Sequence, residues 1–143
     1  MNVLVDTPVW SLALRRAHRD LTPTQLNLRN ALSELIREGR VVMIGPIRQK
    51  LLSGIKEQAQ FDRLREELRS FKDVQLHTAD YERAAAMSNA CRTQGVASSS
   101  VDMLICAVAL RLESAIFTMD RDYARYSEIL GVRLFAADSN PQV

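Results

Sequence analysis

The stretch SSSVDMLICAVALRLESAIFTMD, residues 98 to 120, decides the fold. Its serines suit a helix N-cap. The segment VDMLICAVALRLE is apolar nearly all round, which predicts a central helix covered on every side. AIFTMD (115–120) then reads as a short buried strand ended by an acid. A buried helix feeding a buried strand is the building unit of a parallel α/β sheet.

The same rhythm extends outward. NVLVD (2–6) is an apolar run of strand type, also ended by an acid, and Pro8 suits the first turn of a following helix. Residues 21–40 hold a helix in which Leu28, Ala31, Leu32, Leu35 and Ile36 form one apolar stripe, with Gly39 as its stop. VVMIG (41–45) is a second buried strand, and Pro46 opens a helix that runs to about Ile55. In the helix at 57–71, Phe61, Leu64, Leu68 and Phe71 share a face. VQLH (74–77) is predicted as a third strand, with Thr78 capping a helix over 79–93 that stops near Gly95. Beyond Asp120, RDYARYSEIL reads as a helix and VRLF (132–135) as a last strand. The alternation predicts a three-layer α/β/α sandwich around a parallel sheet of four or five strands. No linker or repeat interrupts it. Residues 1–136 are expected to form a single domain and 137–143 a mobile tail.

Composition sets the outer bounds. The chain has 143 residues, 47% of them hydrophobic, enough for one substantial core. Its longest apolar run, MLICAVAL, is too short to span a bilayer, and the N-terminus carries no signal-peptide pattern. Cys91 and Cys106 are isolated and fit no metal-ligand spacing, so buried thiols in a reducing cytoplasm are expected. Net charge is only +2, yet sixteen arginines stand against three lysines. Arginine grips phosphate bidentately. A GC-rich coding sequence also enriches arginine.

The acids carry the functional argument. In open α/β sheets, ligands bind beyond the carboxyl ends of the strands. Asp6 ends the first strand, Asp120 ends the fourth, and Asp102 lies in the first turn of the helix between the third and fourth. If strands one and four are neighbours, the three meet at one edge. Each has a purely structural reading as a cap or turn former. Together they point to a hard divalent cation, Mg²⁺ or Mn²⁺, because clustered carboxylates repel unless a cation neutralises them. Such a site can orient water against a phosphodiester. His18 and His77 are lone and read as structural.

With these residues in place, the chain resembles the PIN-domain ribonucleases, in particular the VapC toxins of VapBC toxin–antitoxin pairs. VLVDTPVWSLAL is similar to their N-terminal signature, SSSVDMLICAVAL to their third motif, and IFTMDRDYARY to their T-x-D-x-D-[FY] segment. The resemblance runs from residue 2 to about 135. It implies a PIN-like fold, Mg²⁺- or Mn²⁺-dependent endonucleolytic cleavage of RNA, a VapB-type antitoxin as partner, and a toxin homodimer. By position it implies Asp6, Asp102 and Asp120 as catalytic and metal-binding acids, Asp122 as an auxiliary metal ligand, and Thr118 as a hydroxyl near the metal edge.

One motif departs from the family. Where the pattern reads roughly P-x-x-x-E-L-L-x-G, this chain reads PIRQKLLSG (46–54), with Lys50 in the glutamate's place. Gln49 is about 100° away around the helix. The local charge changes from negative to positive. An ammonium ion among carboxylates is expected to form a salt bridge where a metal should sit, giving weaker metal binding and low or absent cleavage. The substitution fits deliberate silencing, selection during cloning, or a degenerate natural toxin. The plain alternative is a solvated helix lysine.

Arg48, Arg121 and Arg125 lie near the predicted acidic edge, and Arg15, Arg16 and Arg19 cluster after the first helix. With Thr118, the first three are candidate RNA contacts; a solvated face is the alternative for all. Trp10 is expected to serve core or partner packing. The helices at 24–36 and 57–71 are either core or a clip for the antitoxin. Three functions compete: a metal-dependent endoribonuclease toxin impaired at Lys50, an inactive PIN-like module that sequesters antitoxin or RNA, and a phosphotransfer protein with Asp6 as acceptor. The last is disfavoured because DTPVW lacks the second acid of D-x-D-x-T.

Overall fold

The computed structural model describes residues 1–14 and 18–137. Arg15, Arg16 and the tail from 138 lie outside the described residues. Four strands, β1 (Val3–Val5), β2 (Val41–Ile44), β3 (Asp73–Val74) and β4 (Ala115–Phe117), pair in parallel in the order β3-β2-β1-β4. Strands one and four are therefore neighbours, in the register Val3↔Ala115, Leu4↔Ile116 and Val5↔Phe117. Seven α-helices flank the sheet: α1 (Thr7–Leu14), α2 (Pro23–Arg37), α3 (Gly45–Leu52), α4 (Gln58–Leu68), α5 (Thr78–Thr93), α6 (Ser100–Arg111) and α7 (Asp122–Leu130). A 3₁₀ turn spans His18–Asp20.

Val3, Leu4 and Val5 are all fully buried. Successive strand residues face opposite ways, so both faces of the sheet are covered, as the α/β/α reading expects. Helix α6 packs on β1 and β4 and also against α5, while α3 packs on β2 and α1 against α2. Residues Met103–Ala109 of α6 are buried without a break, so it is the central helix. Ser99 caps it, its Oγ accepting from the Asp102 N–H at 3.0 Å. Thr22 and Gln25 close a capping box on α2. The stripe on α2 is narrower than its sequence pattern, because Ile36 stays 37% exposed. On α4, Leu64 and Leu68 are buried and Phe61 is half-buried, as is Phe71 three residues past the end of the helix. Trp10 is fully buried, edge-on to Phe71 with ring centroids 5.0 Å apart, and so is a core residue.

Three local expectations shift. The third strand forms at Asp73–Val74 rather than 74–77, because the backbone beyond it is diverted. The Gln75 carbonyl accepts from the Arg111 guanidinium at 3.0 Å, and the His77 N–H donates to the Asp80 carboxylate at 2.9 Å. His77, not Thr78, is consequently the N-cap residue of α5. The last segment contributes only one bridge, Ile116↔Leu134, rather than a strand over 132–135. Helix α7 ends in a left-handed turn at Gly131 (φ 76°), and the Val132 carbonyl is taken by the Ser127 hydroxyl at 2.6 Å. The Arg133 carbonyl and the Phe135 N–H still pair with Ile116, at 2.8 Å each. Cys91 and Cys106 are buried free thiols, and burial pushes Cys106 up to about 12.

Candidate active site

Asp6 leaves β1 at its carboxyl end and starts α1. Its backbone carbonyl accepts from Val9 and Trp10, at 3.2 and 3.4 Å. Its side chain is 6% exposed. Both carboxylate oxygens are engaged: Oδ1 accepts from the Thr7 N–H at 2.9 Å and Oδ2 from the Thr118 hydroxyl at 3.0 Å. Thr118 follows β4, so neighbouring strands carry donor and acceptor to the same edge. Its hydroxyl also accepts from the Asp120 N–H at 3.0 Å, tying the loop after β4 to the first strand.

Asp102, in the first turn of α6, is held by α7. Tyr123 donates its hydroxyl to Asp102 Oδ1 at 2.9 Å. Tyr126 shares its hydroxyl between Asp102 Oδ2 at 3.5 Å and the Ala97 carbonyl at 3.3 Å. The two rings pack edge-to-face with centroids 5.0 Å apart, and both are buried. Tyr123 stands at the aromatic end of the T-x-D-x-D-[FY] segment. Tyr126, one helical turn on, was not singled out from sequence, and its spacing of three from Tyr123 is the only trace of a shared face.

The electrostatics show which acids sense one another. Burial raises the Asp6 carboxyl above its ordinary value; its hydrogen bonds with Thr118 and Thr7 oppose this, the charge of Asp102 adds to it, and Lys50 pulls the other way. Tyr123 is pushed up by burial and by the charges of Asp6 and Asp102. Tyr126 is pushed up by burial and then by Asp102, Asp122 and Asp120. Asp102 thus acts on both tyrosines, and the other three acids on one each. The four acids do not converge on one point: among the described residues, no three His, Cys, Asp or Glu side chains form a group able to hold a metal ion. Asp120 and Asp122 are exposed, and Asp120 Oδ1 accepts from the Asp122 N–H at 2.9 Å at the start of α7. The pair Asp6 and Asp102 still fits a hard divalent cation. Mg²⁺ needs only one or two carboxylates besides water and substrate oxygens, and a buried acid raised by a second acid's charge is relieved by a cation.

Lys50 lies on the exposed side of α3, and among the described residues it forms no ion pair within 4.0 Å. The expected salt bridge with the acids is therefore absent, although its charge reaches Asp6. Arg48 serves the fold. Its guanidinium donates to Asp73 Oδ1 at 2.9 Å, to the Leu68 carbonyl at 2.9 Å and to the Phe71 carbonyl. Arg121 and Arg125 are exposed on the α7 side, as is Arg19 in the 3₁₀ turn. Among the described residues, no helix is long and apolar enough to cross a membrane.

Comparison with known proteins bears on the fold and the family. No curated protein matches the chain in sequence. Among solved structures, FitAcB from Neisseria gonorrhoeae is similar with a TM-score of 0.73 at 19% identity, covering 94% of this chain and 97% of that one. VapBC2 from Rickettsia felis, bound to a DNA fragment from its promoter, gives 0.72 at 15% identity over 94% and 98%. VapBC-1 from nontypeable Haemophilus influenzae gives 0.68 at 14% identity over 96% and 98%. At such identities the likeness is one of fold. The PIN domain family model, by contrast, matches residues 3–129 of the sequence itself. That span takes in the whole sheet and all four edge acids, and the chain belongs to the PIN domain family.

Proposed function

We propose that this chain is the toxin of a type II toxin–antitoxin pair, a Mg²⁺- or Mn²⁺-dependent endoribonuclease whose activity is impaired by Lys50. The observation that carries the reading is the buried Asp6, raised by burial and by Asp102's charge, at the carboxyl edge of two adjacent parallel strands. A divalent cation bound there supplies an activated water at neutral pH and charge for the leaving oxygen. The protein's own residues prepare for it. Thr118 and the Thr7 N–H fix the Asp6 carboxylate, and Tyr123 and Tyr126 fix that of Asp102. Each Asp6 oxygen keeps a lone pair for a further ligand. Asp120 and Asp122 add negative charge at the rim, where Arg121 and Arg125 can meet RNA phosphates. A VapB-type antitoxin, a homodimer and a cytoplasmic setting complete the proposal. The structural neighbours named VapBC and FitAcB support the antitoxin partnership by likeness of fold.

Lys50 supports a second reading, an inactive PIN-like module that sequesters antitoxin or RNA. RNA cleavage by this chain and by Lys50→Glu, each with Mn²⁺, Mg²⁺ or EDTA, separates the two. The expected outcome is cleavage at least tenfold faster for Lys50→Glu, abolished by EDTA, in line with one carboxylate's worth to a metal site. Equal rates would sink the impairment argument. Absence of metal-dependent cleavage in both would favour the binding module.

A further inference from the structure

Beside Asp6 lies a cleft of about 350 Å³ bounded by α1, α2, α3 and the loop after β4. Leu12 and Met119 contribute its apolar wall, and Thr7, Ser11, Gln25 and Lys50 its polar lining. Among the described residues no carboxylate lines it. Every polar side chain there can donate a hydrogen bond. Among the described residues the Thr7 hydroxyl, on a residue 9% exposed, has no hydrogen-bond partner. Gln25 uses its oxygen to accept from the Thr22 N–H at 3.0 Å, which leaves its NH₂ free to donate. Lys50 brings a full positive charge with no ion-pair partner among the described residues.

A donor-rich, acid-free cleft next to a pair of acids divides the local field in two. A cation is drawn to Asp6 and Asp102, whereas an anionic oxygen is drawn to the cleft. We propose that this cleft is a phosphate subsite for single-stranded RNA, with Lys50 as the charged contact and Ser11 and Gln25 as neutral donors. The choice of an RNA phosphate rests on the nuclease reading, which brings a phosphodiester to Asp6, the neighbour of Thr7 in the cleft wall. Lys50 then has opposite effects on two properties: it weakens metal binding at the acids and strengthens metal-free binding of RNA.

The experiment measures fluorescence anisotropy of a short, labelled single-stranded RNA with the full chain in EDTA, across a KCl series. Lys50→Met, Lys50→Arg and Lys50→Glu are compared with the parent. Position 50 is exposed, so these variants should fold. Lys50→Met is expected to weaken binding about fivefold, the loss of one exposed charge-assisted contact, and to lower the log–log salt slope by about 0.7. Lys50→Arg should bind like the parent. Lys50→Glu should bind more weakly than Lys50→Met even if it cleaves faster in Mn²⁺. Parent-like affinity and slope in Lys50→Met, or no RNA binding by the parent, would overturn the proposal. Metal-dependent cleavage by Lys50→Glu together with unchanged binding by Lys50→Met would sink the subsite alone. A binding loss in Lys50→Met with no cleavage by any variant would sink the nuclease reading and leave the subsite standing.

Discussion

At Asp6, three demands meet in one residue. Its carbonyl starts α1, its Oδ2 accepts from Thr118 after β4, and its charge faces that of Asp102. Because burial raises its carboxyl, the folded chain keeps a proton there at a pH where the unfolded chain has lost it. Stability therefore falls as pH rises from the ordinary carboxylate value through the raised one, and above that window the buried charge remains a cost. Asp6→Asn should accordingly raise the melting temperature in EDTA at pH 7, by about 2–4 °C for each kcal/mol relieved. A thermal shift assay that shows a drop would mean the hydrogen bonds to Thr118 and Thr7 outweigh desolvation. Asp6 and Asp102 are legible from sequence because each sits at a strand end or in a helix's first turn, where position alone sets direction. The grip of Tyr123 and Tyr126 on Asp102 is not legible, because it depends on how α7 lies across α6.

Elements show the same division between local and distant causes. The apolar runs at β1, β2, β4 and α6 are long enough or pure enough to declare themselves. The strand expected at 74–77 fails for a different reason: side chains from elsewhere claim its backbone groups. Arg111 is the clearest case, since it sits at the end of α6 yet shapes the start of α5. It grips both oxygens of Asp80, at 2.8 and 2.9 Å, as well as the Gln75 carbonyl. The Asp80 side chain is 3% exposed. The Arg111 guanidinium holds the Asp80 carboxyl below its ordinary 3.8. That contribution to stability is present above the ordinary value and is lost as pH falls through the lowered one. Asp80→Asn should melt at a lower temperature than the parent at pH 7 and lose less below about pH 4. Circular dichroism melts across pH would show the two curves converging in acid. Parallel curves would mean the ion pair does not link these helices.

For the whole molecule, one buried cluster runs from Val3 and Trp10 through α6 to Tyr126 and Val132, with the sheet inside it. The single tryptophan, Trp10, reports from the α1 side, while backbone circular dichroism reports from every helix. Their urea midpoints should coincide within error, as for one cooperative unit. Earlier loss of the tryptophan signal would mark α1 and its neighbours as a separate folding unit. The strand order has a last consequence, for how the protein is made. The first strand finds β2 early in the chain, but its other neighbour, β4, begins at Ala115, and the hydroxyl that binds Asp6 comes from Thr118, 112 residues later. During synthesis that side of the first strand must wait for nearly the whole chain. A chain released by a ribosome that stalls before residue 115 would hold three of the four strands, with Asp6 and Asp102 but without Thr118 and Asp120. On the nuclease reading, translation itself keeps the unfinished chain harmless, and the hazard begins only when the last strand docks.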